Sequence, residues 1–265
     1  MRKYNIRLQA AIAMLFCAYS LKSQIPIEAF VQALQSKQYA TFKKTFQKAL
    51  LKDSLIDYGN SLSRQIFDDY QEVWYEIFDN HLIGNTHSLK MIVKGNSIIY
   101  YHFSFVNIER QGEKRIFTTV PIDTFTDIAR YSRFKASFRK VYQADLNETD
   151  LWVYSIVNAF CGLRTTQGNI KECDEMIALV DANKKDSLLQ WLQSANLEKQ
   201  MLGLLGYNEL LKKKANLSNT ELKLIKTILR KKAKAHVRGC AYCCFVDYLT
   251  PKEFVKSYHL TELPN

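Results

Sequence analysis

The sequence predicts an α+β protein that is mostly helical, with a small antiparallel β-meander set between helices and followed by a helical C-terminal part. Three observations carry this. Apolar residues recur at helical spacing through residues 26–80 and again beyond Pro121. Between about residues 88 and 120 that period gives way to alternation among β-branched and aromatic residues. The 265 residues are 47% hydrophobic with only 9 Gly and 4 Pro, a composition that fills a packed core and excludes a disordered or collagen-like chain. No stretch approaches the ~20 apolar residues of a membrane span, which excludes a polytopic membrane protein and leaves none in the mature chain.

The first residues read as an address. Arg2, Lys3 and Arg7 form a basic start, Ala10 to Leu21 an apolar stretch, and Ser20 or Ser23 a small residue before a cut, the layout of a secretory signal peptide over 1–23. Phe16 stands where a lipidated Cys17 would need a small neighbour, which favours plain export over lipidation. The Ser23-Gln24-Ile25-Pro26 junction resembles bacterial envelope proteins cut ahead of glutamine. The expected location is periplasmic or extracellular. Cleavage leaves 33 basic against 26 acidic residues and five cysteines; in an oxidising compartment that odd number implies disulfides with one thiol over.

The region 24–165 is expected to be helical with the meander inside it. Ile27, Phe30, Val31 and Leu34 share a helical face, as do Phe42, Phe46 and Leu50. A longer helix capped near Asn60 or Ser61 would carry Leu62, Ile66, Phe67, Val73, Trp74 and Ile77, with Asp68, Asp69 and Glu72 on its solvated side. Leu89, Met91 and Val93 then alternate. Gly95-Asn96 suits a two-residue hairpin with Gly in the first central position. The aromatic run to Val106 makes a second strand, and Gly112 turns the chain into a third at Ile116 to Val120. Helical spacing returns with Phe125, Ile128, Phe134, Phe138 and Val141, capped by Asp123 or Thr124. A further helix starts near Asn147 to Asp150 and runs through Leu151, Trp152, Ile156 and Phe160.

From 172 to 265 the chain reads as short helices with a cysteine cluster. Met176, Ile177 and Val180 form one face, Leu188, Leu189 and Leu192 the next, and Leu197, Met201, Leu204, Leu205 and Leu211 a third. Ser218-Asn219-Thr220-Glu221 is a capping box. It opens a helix with Leu222, Ile225, Leu229 and Ala233 on one side. Residues 172–238, through their helix lengths and the leucine placement in QMLGLLGYNELL, resemble the helical hairpins of HEAT-like repeat proteins; a helical bundle is the alternative architecture.

Charge is concentrated in this part. Residues 196–239 hold eleven basic and three acidic residues. Lys223, Lys226, Arg230 and Lys234 fall on one side of the capped helix. Two readings are open: a solvated face, or a docking face for an anionic partner such as an acidic protein or an anionic polymer. Nucleic acid is not expected, since no recognised nucleic-acid module accompanies the charge.

The densest chemistry is His236, Cys240, Cys243 and Cys244. These thiols can form structural disulfides, with Cys161 and Cys173 as further partners. Cys240-Ala241-Tyr242-Cys243 can be a redox pair, although a basic helix is expected to run into it, whereas thioredoxin-type chemistry places the motif at a helix N-terminus. His236 with three thiolates is a zinc-like donor set from an awkwardly short stretch. His87 and His102 become same-face neighbours if the Gly95-Asn96 turn pairs 89 with 102. No G-x-S-x-G, H-E-x-x-H, P-loop or G-x-G-x-x-G motif occurs, and no catalytic residue, cofactor or metal is assigned. The expected function is a non-enzymatic envelope protein that binds a macromolecule through its basic helices; the alternative is a thiol-redox enzyme using Cys240 and Cys243.

Overall fold

A computed structural model describes residues 27–52, 56–79, 86–111, 114–152, 157–158, 171–238 and 246–264. The expected leader, 1–23, lies outside them. The described residues fall into two units: those up to Ser63 with Glu72–Asp127, and Arg64–Gln71 with those from Ile128 onward.

In the first unit, helices α1 (Ile27–Gln35) and α2 (Tyr39–Lys52) accompany a five-stranded sheet of β1 (Ile56–Phe67), β2 (Tyr70–Asp79), β3 (Thr86–Lys94), β4 (Ser97–Gln111) and β5 (Lys114–Thr126), its strands adjacent in sequence order; the tip of the β1–β2 hairpin, Arg64–Gln71, belongs to the second unit. This corrects the expected fold class, a small three-stranded meander in a mostly helical protein. The helix expected over 60–80 is a pair of strands. Val73, Tyr75 and Ile77 are buried while Trp74 and Glu76 between them are half-buried, a period of two made from strong strand formers. Asp68 and Asp69, expected on a solvated helix side, are the turn between β1 and β2, and Asp68 takes φ 46°, a conformation aspartate tolerates. Glu72, expected to be solvated, is buried.

The sheet also runs further than expected at its other end. β5 continues through Pro121 to Thr126, and the next helix starts at Ile128 rather than near Asp123. Pro121 is accommodated because β5 is at the sheet edge and because the β4–β5 register shifts between Phe103 and Ser104.

The core of this unit joins Phe30 and Leu34 of α1 and Phe42 and Phe46 of α2 to Val73, Tyr75, Leu89, Met91, Tyr101 and Phe103 of the sheet. Phe46 and Tyr75 have ring centroids 4.4 Å apart. Side chains of this size each contribute about 1.5–3 kcal/mol on full burial. The turn after β3 does double work. Gly95, with φ +58°, and Asn96 connect Lys94 to its partner Ser97. Asn96 then caps α2: its carbonyl accepts from the Tyr39 amide at 2.9 Å and its side-chain oxygen from the Ala40 amide at 2.7 Å. Beside it, the Lys37 ammonium lies 3.9 Å from the Phe125 ring centroid and donates to the Tyr101 hydroxyl at 3.1 Å, which donates to Asp123 at 2.8 Å.

In the second unit, α3 (Ile128–Tyr142) buries Phe134, Phe138 and Tyr142. Phe67 stacks on Phe134 at 5.5 Å, and the Tyr142 hydroxyl donates to the Ile66 carbonyl. The helix expected from Asn147 to Phe160 is cut to one turn, α4 (Glu148–Leu151), and Val157–Asn158 is strand β6. Helices α5 (Lys171–Asp181), α6 (Lys185–Leu192), α7 (Leu197–Lys212) and α8 (Asn219–Leu229) follow, then β7 (Ala235–Arg238), β8 (Val246–Leu249) and α9 (Pro251–Ser257). β6 is parallel to β7, and β7 is antiparallel to β8.

Helix α7 is the centre of this unit. Twelve of its residues, Glu198, Gln200 and Asn208 among them, are buried. Its two glycines sit where neighbours come close: a Cβ on Gly206 would stand 2.8 Å from Leu188 Cδ2, and one on Gly203 3.0 Å from Leu192 Cδ2. α8 opens with the expected capping box and buries Glu221, Leu224, Ile225 and Ile228. It ends at Leu229, so Ala233 and Lys234 lie beyond it and His236 is in β7.

Candidate functional site: a basic groove beside α8

The second unit carries a groove of about 500 Å³ built from the end of α8, from α9 and from the chain after α9. The sequence builds it in three steps. The α8 capping box sets the helix phase, so Lys226 and Arg230, four residues apart, emerge on one side at the helix C-terminus, where cations complement the macrodipole. Thr250 caps α9 in a second capping box with Glu253, and Pro251 sits in the first turn. This places Lys252 and Val255 on the groove. Past α9 the chain reverses at His259, φ 50°, and brings Leu263 and Pro264 to the lining.

The groove is two-natured. Lys226, Arg230 and Lys252 are exposed; Leu229, Val255 and Pro264 are half-buried and Leu263 is buried. Among the described residues none of the three cations is in an ion pair or a side-chain hydrogen bond. Glu253, the residue after Lys252, does not neutralise them by contact. Its carboxylate accepts from the Thr250 amide at 2.8 Å and hydroxyl at 2.9 Å. Those bonds, with a smaller contribution from Lys234, hold its carboxyl below the usual range. Three like charges without partners beside an apolar floor is an arrangement that attracts anions carrying apolar substituents.

Of the four cations expected to form one face, Lys226 and Arg230 line the groove and Lys223 and Lys234 do not, although both are exposed. The early end of α8 separates Lys234 from the helix. Sequence reasoning missed Lys252, Val255 and Leu263. The Thr250-Pro251-Lys252-Glu253 pattern, a cap with Pro and Glu in the first turn, carries the signal that would have found α9.

The thiols are placed as follows. Cys173 is buried in the first turn of α5. Cys161, Cys240, Cys243 and Cys244 lie outside the described residues. The expectation that a basic helix runs into Cys240 is corrected, because strand β7 comes between; residues 239–245 connect antiparallel β7 and β8. The two sheet histidines are also separated. The register shifts between Ile92 and Val93, so that Lys90, not Leu89, opposes His102, and His87 opposes Phe105. This puts the histidines on opposite faces. Among the described residues no group of three or more His, Cys, Asp and Glu can hold a metal ion.

A smaller cavity of about 170 Å³ is bordered by Asp150, Glu172, Glu175, Trp191 and Lys199. Its charges are partly self-satisfied: the Lys199 ammonium is 3.0 Å from both Asp150 oxygens, and the Ser194 hydroxyl donates to Asp150 at 3.0 Å. Compared with known proteins, the chain matches no family model, no curated protein and no solved structure.

Proposed function

We propose that this chain is an exported, non-enzymatic binding protein that docks an anionic macromolecule on the groove beside α8. The observation that carries the reading is the trio Lys226, Arg230 and Lys252, exposed and unpaired among the described residues, around an apolar floor. A face of solvated lysines with no role has no need of a concave apolar bed between its charges. Arg230 adds a planar fork suited to bidentate carboxylate recognition, and the lysines add point charges. The test is a titration with oligoglutamate at two salt concentrations. Binding should weaken several-fold from low to physiological salt, as the Debye length falls to about 8 Å. The triple variant K226Q/R230Q/K252Q should lose it, whereas K223Q should change it little. Affinity indifferent to salt and to the triple variant would remove the groove from the function.

One observation favours the second reading, a thiol-redox enzyme. Strand β7 ends two residues before Cys240, as a strand-then-motif arrangement requires. In that reading the Cys240/Cys243 dithiol gives two electrons and two protons to a disulfide substrate and becomes a disulfide itself. Thiol labelling with and without reductant separates the readings. A readily reduced Cys240–Cys243 pair supports the enzyme; cysteines locked to Cys161 or Cys173 end it.

A further inference from the structure

We infer that the groove's occupant is an acidic peptide segment with aliphatic anchors, a refinement that rests on the groove being a partner site. The argument is the distribution of charge around the floor. Lys226 and Arg230 come from α8 and Lys252 from α9, so cations are supplied by two different elements. The floor between them is aliphatic: Leu229, Val255 and Leu263. A ligand that satisfies this needs more than one negative group, carried at intervals, and apolar side chains between them. A fatty acid brings one carboxylate and leaves the other cations unmatched. Single-stranded nucleic acid brings charge at intervals but wants aromatic platforms for its bases, and the groove lining contains none. A uniformly anionic polymer matches the cations and wastes the floor. A segment in which glutamates or aspartates alternate with leucine-like residues uses both features, and a groove of about 500 Å³ lies within the ~300–1,000 Å³ range of binding clefts.

The experiment uses the full chain and four probes at physiological salt: a fluorescent peptide alternating Glu and Leu, the same peptide with Ser for Leu, oligoglutamate of equal length, and vesicles of phosphatidylcholine with phosphatidylglycerol. The Glu-Leu peptide should bind at least about tenfold more tightly than the Ser peptide and oligoglutamate, because apolar anchors dominate such interfaces. K226E/R230E/K252E should abolish that binding while the chain stays folded by circular dichroism, since the three side chains are exposed and unpaired among the described residues; a small fall in melting temperature is expected because acids at 226 and 230 oppose the α8 macrodipole. Val255→Ser should erase the preference for Leu over Ser while keeping the salt dependence. Equal binding of oligoglutamate and the Glu-Leu peptide would overturn the aliphatic anchor and leave the anionic-partner reading standing. Vesicle binding without peptide binding would overturn the peptide as occupant. Binding of none of the probes would sink both readings.

Discussion

Arg64 and Glu198 meet at 2.6 Å with both side chains almost wholly buried, at 6% and 3% exposure. A hairpin residue and the first turn of α7 thereby share an ion pair inside the second unit. The pair has more effect broken than its formation contributes, because one remaining charge would be left in low dielectric. Glu198→Gln should lower the unfolding free energy by about 3–5 kcal/mol. Replacing both with apolar residues, R64M/E198M, should restore much of that loss. Urea unfolding of the two variants decides it; a double variant weaker than the single one would contradict the desolvation argument.

Asn96 caps a helix that begins 57 positions earlier in the chain, at Tyr39. Asn96→Ala keeps the hairpin but removes the acceptor for the Ala40 amide. It should destabilise the first unit by about 1 kcal/mol, the usual worth of a capping side chain. Asn96→Asp should retain most of the stability. Hydrogen exchange at the Ala40 amide should accelerate in the alanine variant and little in the aspartate variant.

Gly206 holds α7 against α6. Alanine there would gain roughly 1 kcal/mol of helix propensity, but its Cβ would press Leu188 at 2.8 Å and Met176 at 3.3 Å. Leu188 is fully buried and has little room to yield. Overpacking of this kind costs about 1–3 kcal/mol, so Gly206→Ala should be net destabilising, and Gly206→Val more so. A rise in melting temperature for the alanine variant would show that Leu188 can move aside.

The helices α5 to α8 were legible because their signals are local, whereas the sheet of β6, β7 and β8 in the same part was not. The capping box at Ser218 and the leucine spacing in α7 need no distant partner to be read. The hairpin β1–β2 was not, because Ile66, Phe67, Val73, Trp74 and Ile77 fit a helical stripe as readily as they fit strands. The Asp68-Asp69 pair was the local sign of the turn. The separation of His87 from His102 could not be read at all: a register shift between Ile92 and Val93 leaves no mark in composition. The groove was half legible. Lys226 and Arg230 follow from helix phase, whereas Leu263 reaches it only through the tertiary path after α9. Buried Glu198 and Glu221 have the same origin, since burial of a charge depends on partners brought from elsewhere.

Glu221 should carry part of the acid side of the stability profile. Burial alone would push its carboxyl up, but Lys185 at 2.7 Å, the Ser218 amide at 2.6 Å, the Ser218 hydroxyl at 2.7 Å and the Tyr207 hydroxyl at 2.7 Å hold it below its ordinary value of 4.5. A carboxyl depressed on folding stabilises the native state above its unfolded value, and the stability is lost as pH falls through the ordinary carboxylate range toward the folded one. The unfolding free energy should therefore decline below about pH 5, and Glu221→Gln should flatten part of that decline. At neutral pH the same variant should lose roughly 2 kcal/mol, the worth of a charge-assisted hydrogen bond. Its partner acts at the other end. Burial and the bond to Glu221 raise the Tyr207 phenol well above its ordinary 10.0. A group raised on folding stabilises below its unfolded value and loses that contribution as pH rises past it, so Tyr207→Phe should flatten the alkaline limb and, by removing one of the bonds that depress Glu221, weaken part of the acid limb as well. Glu253 is depressed as well but stands on the surface, so Glu253→Gln is the control for a carboxylate outside the core. An acid limb unchanged by Glu221→Gln and removed by Glu253→Gln would move the acid sensitivity from the core to the α9 cap.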